Sequence, residues 1–163
     1  MINVVIMRHG EAQPLAATDS QRTLTEHGRH EVQQMALWFS EAYPAFDYVW
    51  VSPYVRARET AALMLERLPQ GAKLEVLPEL VPEASAVKLQ QRLDLLLAAE
   101  PDARVLMVSH MPLVSFLVEA FTMPGQAPIF STASLCCIGY TTARGGKLLE
   151  RNSPLELSLL QPV

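Results

Sequence analysis

The sequence predicts an α/β fold, a single-domain three-layer α/β/α arrangement around a mostly parallel central sheet. Short β-rich runs alternate with longer segments of helical periodicity, which is typical of parallel sheets. The runs at 3–7 and 104–109 are almost wholly apolar rather than alternating, as expected of strands buried on both faces. The chain has 163 residues, and a domain commonly takes about 100–200. We therefore expect residues 1–163 to form one domain.

The elements of the first half follow from apolar spacing and from residues that start or stop helices. Val32 and Phe39 fall on one face of the first predicted helix, and Thr25 can cap its start. Ser52 can cap the next helix, with Pro53 in its first turn. The predicted elements are a strand at Asn3–Met7, a helix at Leu24–Tyr43, a strand at Tyr48–Val51, a helix from Ser52 to about Leu68 and a short strand at Leu74–Leu77.

In the second half, the spacing of Leu89, Leu93 and Leu97 predicts a helix that turns these side chains inward. Two consecutive glycines after Arg144 indicate a hairpin turn. We expect the partly apolar tail after Pro154 to pack back onto the fold. The predicted elements are a helix at Ser85–Glu100, a strand at Arg104–Ser109, a helix at Pro112–Phe121 and hairpin strands at Leu135–Thr141 and Lys147–Glu150.

Composition excludes several classes of protein. Hydrophobic residues make up 50% of the chain and charged residues 18%, which excludes global disorder. The net charge of −4 argues against binding to a nucleic-acid backbone. The sequence contains no apolar run long enough for a membrane helix, and Ile2–Met7 is too short for a signal peptide. Because the adjacent Cys136 and Cys137 cannot staple a secreted fold, we expect a cytoplasmic protein. Nothing in the sequence demands more than a monomer, so we expect a monomer.

Charged side chains follow four predicted strands, at the point where each strand ends. Arg8 and His9 follow the first strand, Arg56 lies one turn beyond the second, Glu79 follows the third, and His110 follows the fourth. Ligands of open α/β sheets bind at the carboxyl ends of the strands. We therefore expect these five side chains to converge on one edge of the sheet.

Two arginines and two histidines at one edge suit a phosphoryl group. Arginine can donate paired hydrogen bonds to phosphate oxygens, and a histidine can carry the phosphoryl group on nitrogen. A second histidine, as an imidazolium, can stabilise the transferring oxygens, and a carboxylic acid can move protons. Gly10 would let the backbone approach the bound group without a Cβ. The spacings of zinc motifs are absent, so we expect no metal or cofactor.

Three motifs resemble those of the histidine phosphatase superfamily, which has the phosphoglycerate mutase-like fold. Arg8-His9-Gly10-Glu11 resembles its RHG motif, Ser52-Pro53-x-x-Arg56 its second-arginine motif, and Ser109-His110 its second histidine. The resemblance implies that His9 is the phosphorylated nucleophile. It also implies that Arg8, Arg56 and His110 complete the phosphate pocket.

Within this superfamily the sequence resembles the small SixA-type phosphohistidine phosphatases over nearly its whole length. The matching segments include Ser20-Gln21-Arg22 and Leu77-Pro78-Glu79-Leu80. The resemblance implies that Arg22 also lies near the phosphate. It further implies a phosphohistidine-bearing partner, either a histidine phosphotransfer domain of a hybrid sensor kinase or a phosphocarrier of a phosphotransferase system.

The sequence departs from the larger relatives in ways that bear on the substrate. Mutases and bisphosphatases of the superfamily typically follow RHG with Ser or Thr and then Asn, where this chain has Ala12 and Leu15. One helix and one strand use most of the chain between Glu79 and His110, which leaves no insertion to roof the site. A pocket without a lid suits a phosphoryl group presented on another protein, which the loops Gln13–Gln21 and Val81–Ala86 would contact.

The leading hypothesis is a protein phosphohistidine phosphatase that acts on a signalling or phosphocarrier protein through a phospho-His9 intermediate. A P–N bond protonated on its ring expels neutral imidazole, so Glu79 would act mainly as the base for water. One alternative is a small-molecule phosphomonoesterase, such as a sugar-phosphate or α-ribazole phosphatase-like enzyme. The other is a phosphate-binding module without catalysis.

Overall fold

The computed structural model describes residues 1–160, in which the chain forms six strands and five α-helices. The strands are β1 (Val4–Arg8), β2 (Tyr48–Val51), β3 (Lys73–Val76), β4 (Val105–Ser109), β5 (Leu135–Thr141) and β6 (Gly145–Asn152). The helices are α1 (Glu26–Ala42), α2 (Val55–Arg67), α3 (Ala86–Ala99), α4 (Leu113–Phe121) and α5 (Pro154–Leu160). None of these helices is long and apolar enough to cross a membrane.

All six strands belong to one sheet, in the order β3-β2-β4-β1-β5-β6. The first four in that order run parallel, whereas β5 is antiparallel to β1, and β6 to β5. β4 therefore lies between β1 and β2, although it is made of residues that follow both in the chain. The predicted α/β fold with a mostly parallel sheet is confirmed.

The core forms two apolar layers, one on each face of the sheet. Val4 and Ile6 of β1 pack in the layer beneath α3 and α4, whereas Val5 and Met7 pack beneath α1 and α2. All four side chains are fully buried. The strand thus buries both faces, which explains why its sequence is an unbroken apolar run.

Helix α1 begins as its sequence predicts, and helix α2 does not. The Thr25 hydroxyl accepts a hydrogen bond from the Gly28 N–H at 2.9 Å, as the predicted N-cap should. The predicted cap of α2 at Ser52 is wrong, because the helix starts at Val55 and its N-cap, Tyr54, makes no side-chain cap bond. The Ser52 side chain instead contacts a residue of another strand end, described below.

The C-terminal hairpin is longer than its sequence pattern predicts. The turn occupies residues 142–144, and Gly145 opens β6 with a φ of 69°, a left-handed conformation that favours glycine. After the hairpin, Leu157 of α5 packs against the layer beneath α1, so the described part of the tail packs back as expected.

Candidate active site

The strand register brings the ends of β1, β2 and β4 side by side. Arg8 pairs with Ser109 across β1 and β4, and Val51 pairs with Val108 across β2 and β4. The residues after each strand therefore emerge at one edge of the sheet. There the rings of His9 and His110 lie 5.1 Å apart between centroids, edge to face.

His9 is held as a neutral imidazole with one unprotonated nitrogen. Its Nδ1 lies 2.7 Å from the carbonyl oxygen of Gly10. A carbonyl only accepts, so Nδ1 carries the proton and Nε2 keeps its lone pair. Burial, with a further contribution from nearby arginines, lowers the pKa of His9 to about 4. At neutral pH the Nε2 lone pair is therefore available for attack on an electrophile.

Arg56, in the first turn of α2, aims its guanidinium at this nitrogen. Its Nε–H donates to His9 Nε2 across 3.3 Å, and the side chain is only 5% exposed. The ring of Tyr54 lies 5.0 Å from Arg56 Cζ, close enough for a cation–π contact. The arginine is thus held where it could donate to a group bound at His9 Nε2.

The carboxylate of Asp19 bridges Arg22 and Arg56. Arg22 Nη1 donates to Asp19 Oδ1 at 2.9 Å, and Arg56 Nη2 donates to Oδ2 at 3.2 Å. Arg56 Nη1 also donates to the backbone oxygen of Asp19 at 2.8 Å. The hydrogen bond from Arg22, with help from Arg56, holds the pKa of the Asp19 carboxyl below its usual range. An anionic group of the chain itself therefore contacts two of the predicted phosphate-binding arginines.

Arg8 has one engaged nitrogen and one unpartnered nitrogen. Its Nη1 donates to the carbonyl of Phe130 at 2.8 Å, whereas its Nε is buried and has no hydrogen-bond partner in the described part of the chain. Burial lowers the pKa of Arg8, and the nearby carboxylate of Glu31 opposes that effect. Buried N–H groups are usually paired, so the unpartnered Nε–H of Arg8 can donate a hydrogen bond to a ligand oxygen.

His110 is also neutral. Its Nε2 lies 2.8 Å from the hydroxyl of Ser52, and its Nδ1 is buried with no hydrogen-bond partner among residues 1–160. Burial first, then the proximity of His9 and Arg56, lowers the pKa of His110 to about 3. In the unliganded protein His110 is therefore uncharged, because burial beside Arg8 and Arg56 disfavours a further positive charge; the predicted imidazolium concerns the site with a phosphoryl group bound.

Gly10 lies beside His9, and the packing around it gives a further reason for a glycine at this position. A Cβ there would stand 2.7 Å from the Gly28 carbonyl oxygen and 2.9 Å from Val32 Cγ2, so the close approach of α1 excludes a side chain. The Gly10 N–H donates to the Thr60 hydroxyl at 3.1 Å. The residue thus fastens the β1 end to α1 and α2.

Glu79 is engaged away from the histidines. Arg92 of α3 donates to one of its carboxylate oxygens from Nε at 3.0 Å and from Nη2 at 2.6 Å. Within residues 1–160, no hydrogen bond or ion pair joins Glu79 to His9, His110 or Arg56. The neighbouring residue Leu80 does reach the site edge, because its carbonyl accepts from the Ser109 hydroxyl at 2.6 Å.

Two contributors to the site were not foreseen from sequence: Asp19 and the contact of Ser52 with His110. Asp19 precedes Arg22 by three residues in a 3₁₀ turn, and this spacing of opposite charges was a usable signal. No local pattern could have paired Ser52 with a histidine of another strand end. The described part of the chain holds no group of three or more His, Cys, Asp or Glu arranged to bind a metal.

Known proteins resemble this chain along its full length. Residues 4–82 match the model of the histidine phosphatase superfamily, branch 1. Phosphohistidine phosphatase SixA of Escherichia coli (strain K12) is 36% identical over 163 residues, which cover 99% of this chain and 100% of the relative. A SixA homologue of Haemophilus influenzae (strain ATCC 51907 / DSM 11121 / KW20 / Rd) is 34% identical, with 94% and 98% covered. A solved structure of the protein histidine phosphatase SixA complexed with tungstate superposes with a TM-score of 0.90 at 35% identity, covering 96% of this chain and 99% of that chain.

Proposed function

The chain belongs to the histidine phosphatase superfamily, and from this membership we propose that it removes the phosphoryl group from phosphohistidine on another protein through a phosphorylated His9. The observation that carries the proposal is the state of His9. Its proton is on Nδ1, and its unprotonated Nε2 faces the Arg56 guanidinium at 3.3 Å. An unprotonated ring nitrogen beside arginines is what a phosphoryl-accepting nucleophile requires.

In the first step, His9 Nε2 attacks phosphorus as the P–N bond to the substrate imidazole breaks. The substrate nitrogen takes the electron pair, and the ring, protonated beforehand, leaves as neutral imidazole. Arg8 and Arg56 donate to the equatorial oxygens. Arginine can stabilise the negative charge on these oxygens without a metal. Arg22 and Gly10 complete the proposed phosphate pocket; Gly10 lines it rather than donating to the phosphate, because its N–H bonds Thr60 and its carbonyl accepts from His9.

In the second step, water attacks the phosphorus of phospho-His9. The P–N bond breaks, its electron pair returns to Nε2, and inorganic phosphate is released. The attacking water gives up one proton, for which Glu79 is the proposed base. That role requires the Glu79 carboxylate to leave its ion pair with Arg92.

Two observations support a protein as substrate. The first is the full-length likeness to SixA, which is described as a protein histidine phosphatase. The second is the exposed loop that carries Asp19, in which Leu15 is 85% exposed and free to meet a partner. We propose a histidine phosphotransfer domain or a phosphotransferase-system phosphocarrier as the partner, and a monomeric enzyme in the cytoplasm.

The proposal is tested with a phosphorylated histidine phosphotransfer domain as substrate, in buffer containing a chelator. We expect turnover, together with acid-labile phosphate trapped on the enzyme after rapid denaturation. His9→Ala should abolish both, whereas His30→Ala, which alters an exposed histidine of α1, should change neither. Turnover by the His9 variant at the wild-type rate would exclude His9 as the nucleophile, and dependence on added Mg²⁺ or Zn²⁺ would refute the arginine pocket.

A second assay separates this function from that of a small-molecule phosphomonoesterase. A site without a lid offers few contacts to the remote part of a small ester, so binding energy must come from a protein partner. We expect kcat/KM for the phosphoprotein to exceed that for p-nitrophenyl phosphate by at least about 100-fold, or about 2.7 kcal/mol. A small ester that reacts as well as the phosphoprotein would favour the alternative.

A further inference from the structure

Ser52 is a fully buried serine whose hydroxyl has two partners in the described part of the chain. Its Oγ accepts a hydrogen bond from the backbone N–H of Tyr54 at 3.2 Å. The same oxygen lies 2.8 Å from Nε2 of His110, whose side chain is also buried. Neither group reaches solvent, so these contacts must account for the hydroxyl proton.

The donors and acceptors leave one consistent position for that proton. The Tyr54 N–H can only donate, so the Ser52 hydroxyl cannot give its proton to Tyr54. The remaining partner is His110 Nε2, which must then accept. A neutral imidazole carries a single N–H, so the proton of His110 is on Nδ1.

The other nitrogen of the ring fits this assignment. His110 Nδ1 is buried and has no partner in the structure, so an N–H at that position awaits an acceptor. The ring lies edge to face with His9 and with Tyr54. Burial, with the charges of Arg56 and Arg8 nearby, favours the uncharged ring, whose pKa is lowered to about 3.

We propose that Ser52 is a positioning residue that holds His110 in its Nδ1–H tautomer, so that a neutral imidazole presents one hydrogen-bond donor to a phosphoryl oxygen beside His9. The inference rests on the proposed function for the identity of that acceptor, and on the geometry alone for the tautomer.

The tautomer matters because the other form would oppose binding. With the proton on Nε2, the ring would direct a lone pair from Nδ1 toward an oxyanion, which repels it. The Ser52 hydroxyl would at the same time lose the only acceptor that it has among residues 1–160. Donors held in advance where charge develops contribute strongly to phosphoryl and acyl transfer, since they need no rearrangement during the reaction.

The tautomer is measured directly by ¹⁵N NMR of the histidine rings in the unliganded protein at pH 7. We expect His110 Nε2 to give the resonance of an unprotonated acceptor and Nδ1 that of an N–H. In Ser52→Ala we expect a mixture of both tautomers. A protonated Nε2 or a charged ring in the wild type, or an unchanged pattern in Ser52→Ala, would overturn the proposal. This readout needs no substrate, so it stands or falls separately from the proposed function.

Activity supplies the second readout. Ser52→Ala should lower kcat by about 10- to 100-fold, which is a smaller loss than complete removal of a preorganised donor would cause. Ser109→Ala is the matched control, because Ser109 is equally buried and its hydroxyl bonds the Leu80 carbonyl rather than a histidine ring. We expect both variants to lose similar stability in urea, and the His110 tautomer to change only in Ser52→Ala. Equal losses of kcat in both variants with unchanged tautomers would assign Ser52 a purely structural role.

Discussion

Asp19→Asn is expected to tighten the binding of inorganic phosphate. The carboxylate contacts Arg22 and Arg56, so a phosphoryl dianion that binds the same guanidiniums must displace it. The asparagine keeps the size of the side chain and removes its charge. The backbone bond from Arg56 Nη1 to the Asp19 carbonyl is independent of this change and continues to hold the loop.

The size of the effect follows from the exposure of the contact. The Asp19 side chain is 59% exposed, and an exposed ion pair typically contributes about 0.2–1 kcal/mol. Two such pairs oppose phosphate binding by about 0.4–2 kcal/mol, which corresponds to an affinity gain of about 2- to 30-fold when the charge is removed. Because these charges are partly solvated, the gain should shrink as salt is raised.

Calorimetric titration with orthophosphate at low and high salt measures this gain. Asp102→Asn is the matched control, since it removes the same charge from an exposed turn before β4, at the opposite edge of the sheet from the site. We expect its phosphate affinity to stay at the wild-type value. Unchanged or weaker phosphate binding in Asp19→Asn would refute the reasoning, because it would mean that Asp19 orients the arginines rather than competing for them.

Three further outcomes are expected. Arg56→Lys keeps the charge but loses the bidentate hydrogen-bond donor, so kcat/KM should fall. Arg56→Ala should lower kcat/KM further, by about 10²- to 10³-fold. Equal kcat/KM values for the lysine variant and the wild type would exclude paired hydrogen bonds from Arg56. Glu79→Gln should slow the hydrolysis of phospho-His9 by at least about tenfold. Arg92→Gln breaks the same ion pair and should not slow this step. If both variants lower the rate equally, the Glu79–Arg92 ion pair has only a structural role and Glu79 is not the base. His9 and His110 have folded-state pKa values of about 4 and 3, below the unfolded value of about 6.5. The unfolded chain therefore binds more protons, and the free energy of unfolding should fall as pH drops from about 6.5 to 4. In urea titrations the free energy of unfolding should depend less steeply on pH in His110→Gln than in His30→Gln, and identical pH dependence in the two variants would contradict the buried neutral ring.

Most of the fold was predictable because its central strands β1, β2 and β4 are buried. The apolar runs at β1, β2 and β4 leave little choice of element, and their predicted bounds differ from the observed ones by at most one residue. The error at the start of α2 has a physical reason. Ser52 has the right chemistry for a helix cap, but its hydroxyl is engaged by His110, 58 residues away, and local rules cannot detect such a partner.

The part of the site that could be predicted is the part that lies at the carboxyl ends of the parallel strands, where ligands of open α/β sheets bind. Parallel register brings His9 and His110 to one edge, and Arg56 follows from the helix after β2. The neutral state of His110 in the unliganded protein could not be predicted, because it depends on burial beside arginines, which composition and spacing do not reveal. Likewise, the role of Asp19 depends on the path of the loop between β1 and α1.

The position of β4 between β1 and β2 has a consequence for synthesis on the ribosome. The two strands that carry His9 and lead to Arg56 emerge first, but neither has a central partner until residues 105–109 have been made. Until then their apolar edges are open to pairing with other chains, which is the property that makes unfinished sheets prone to aggregate. In such a chain Ser109 is also missing, so the backbone N–H of His9 has not yet gained the Ser109 carbonyl as its hydrogen-bond acceptor. A nascent chain that ends before β4 therefore carries the proposed nucleophile, His9, without the strand that completes its surroundings, so we expect no activity until β4 has been translated.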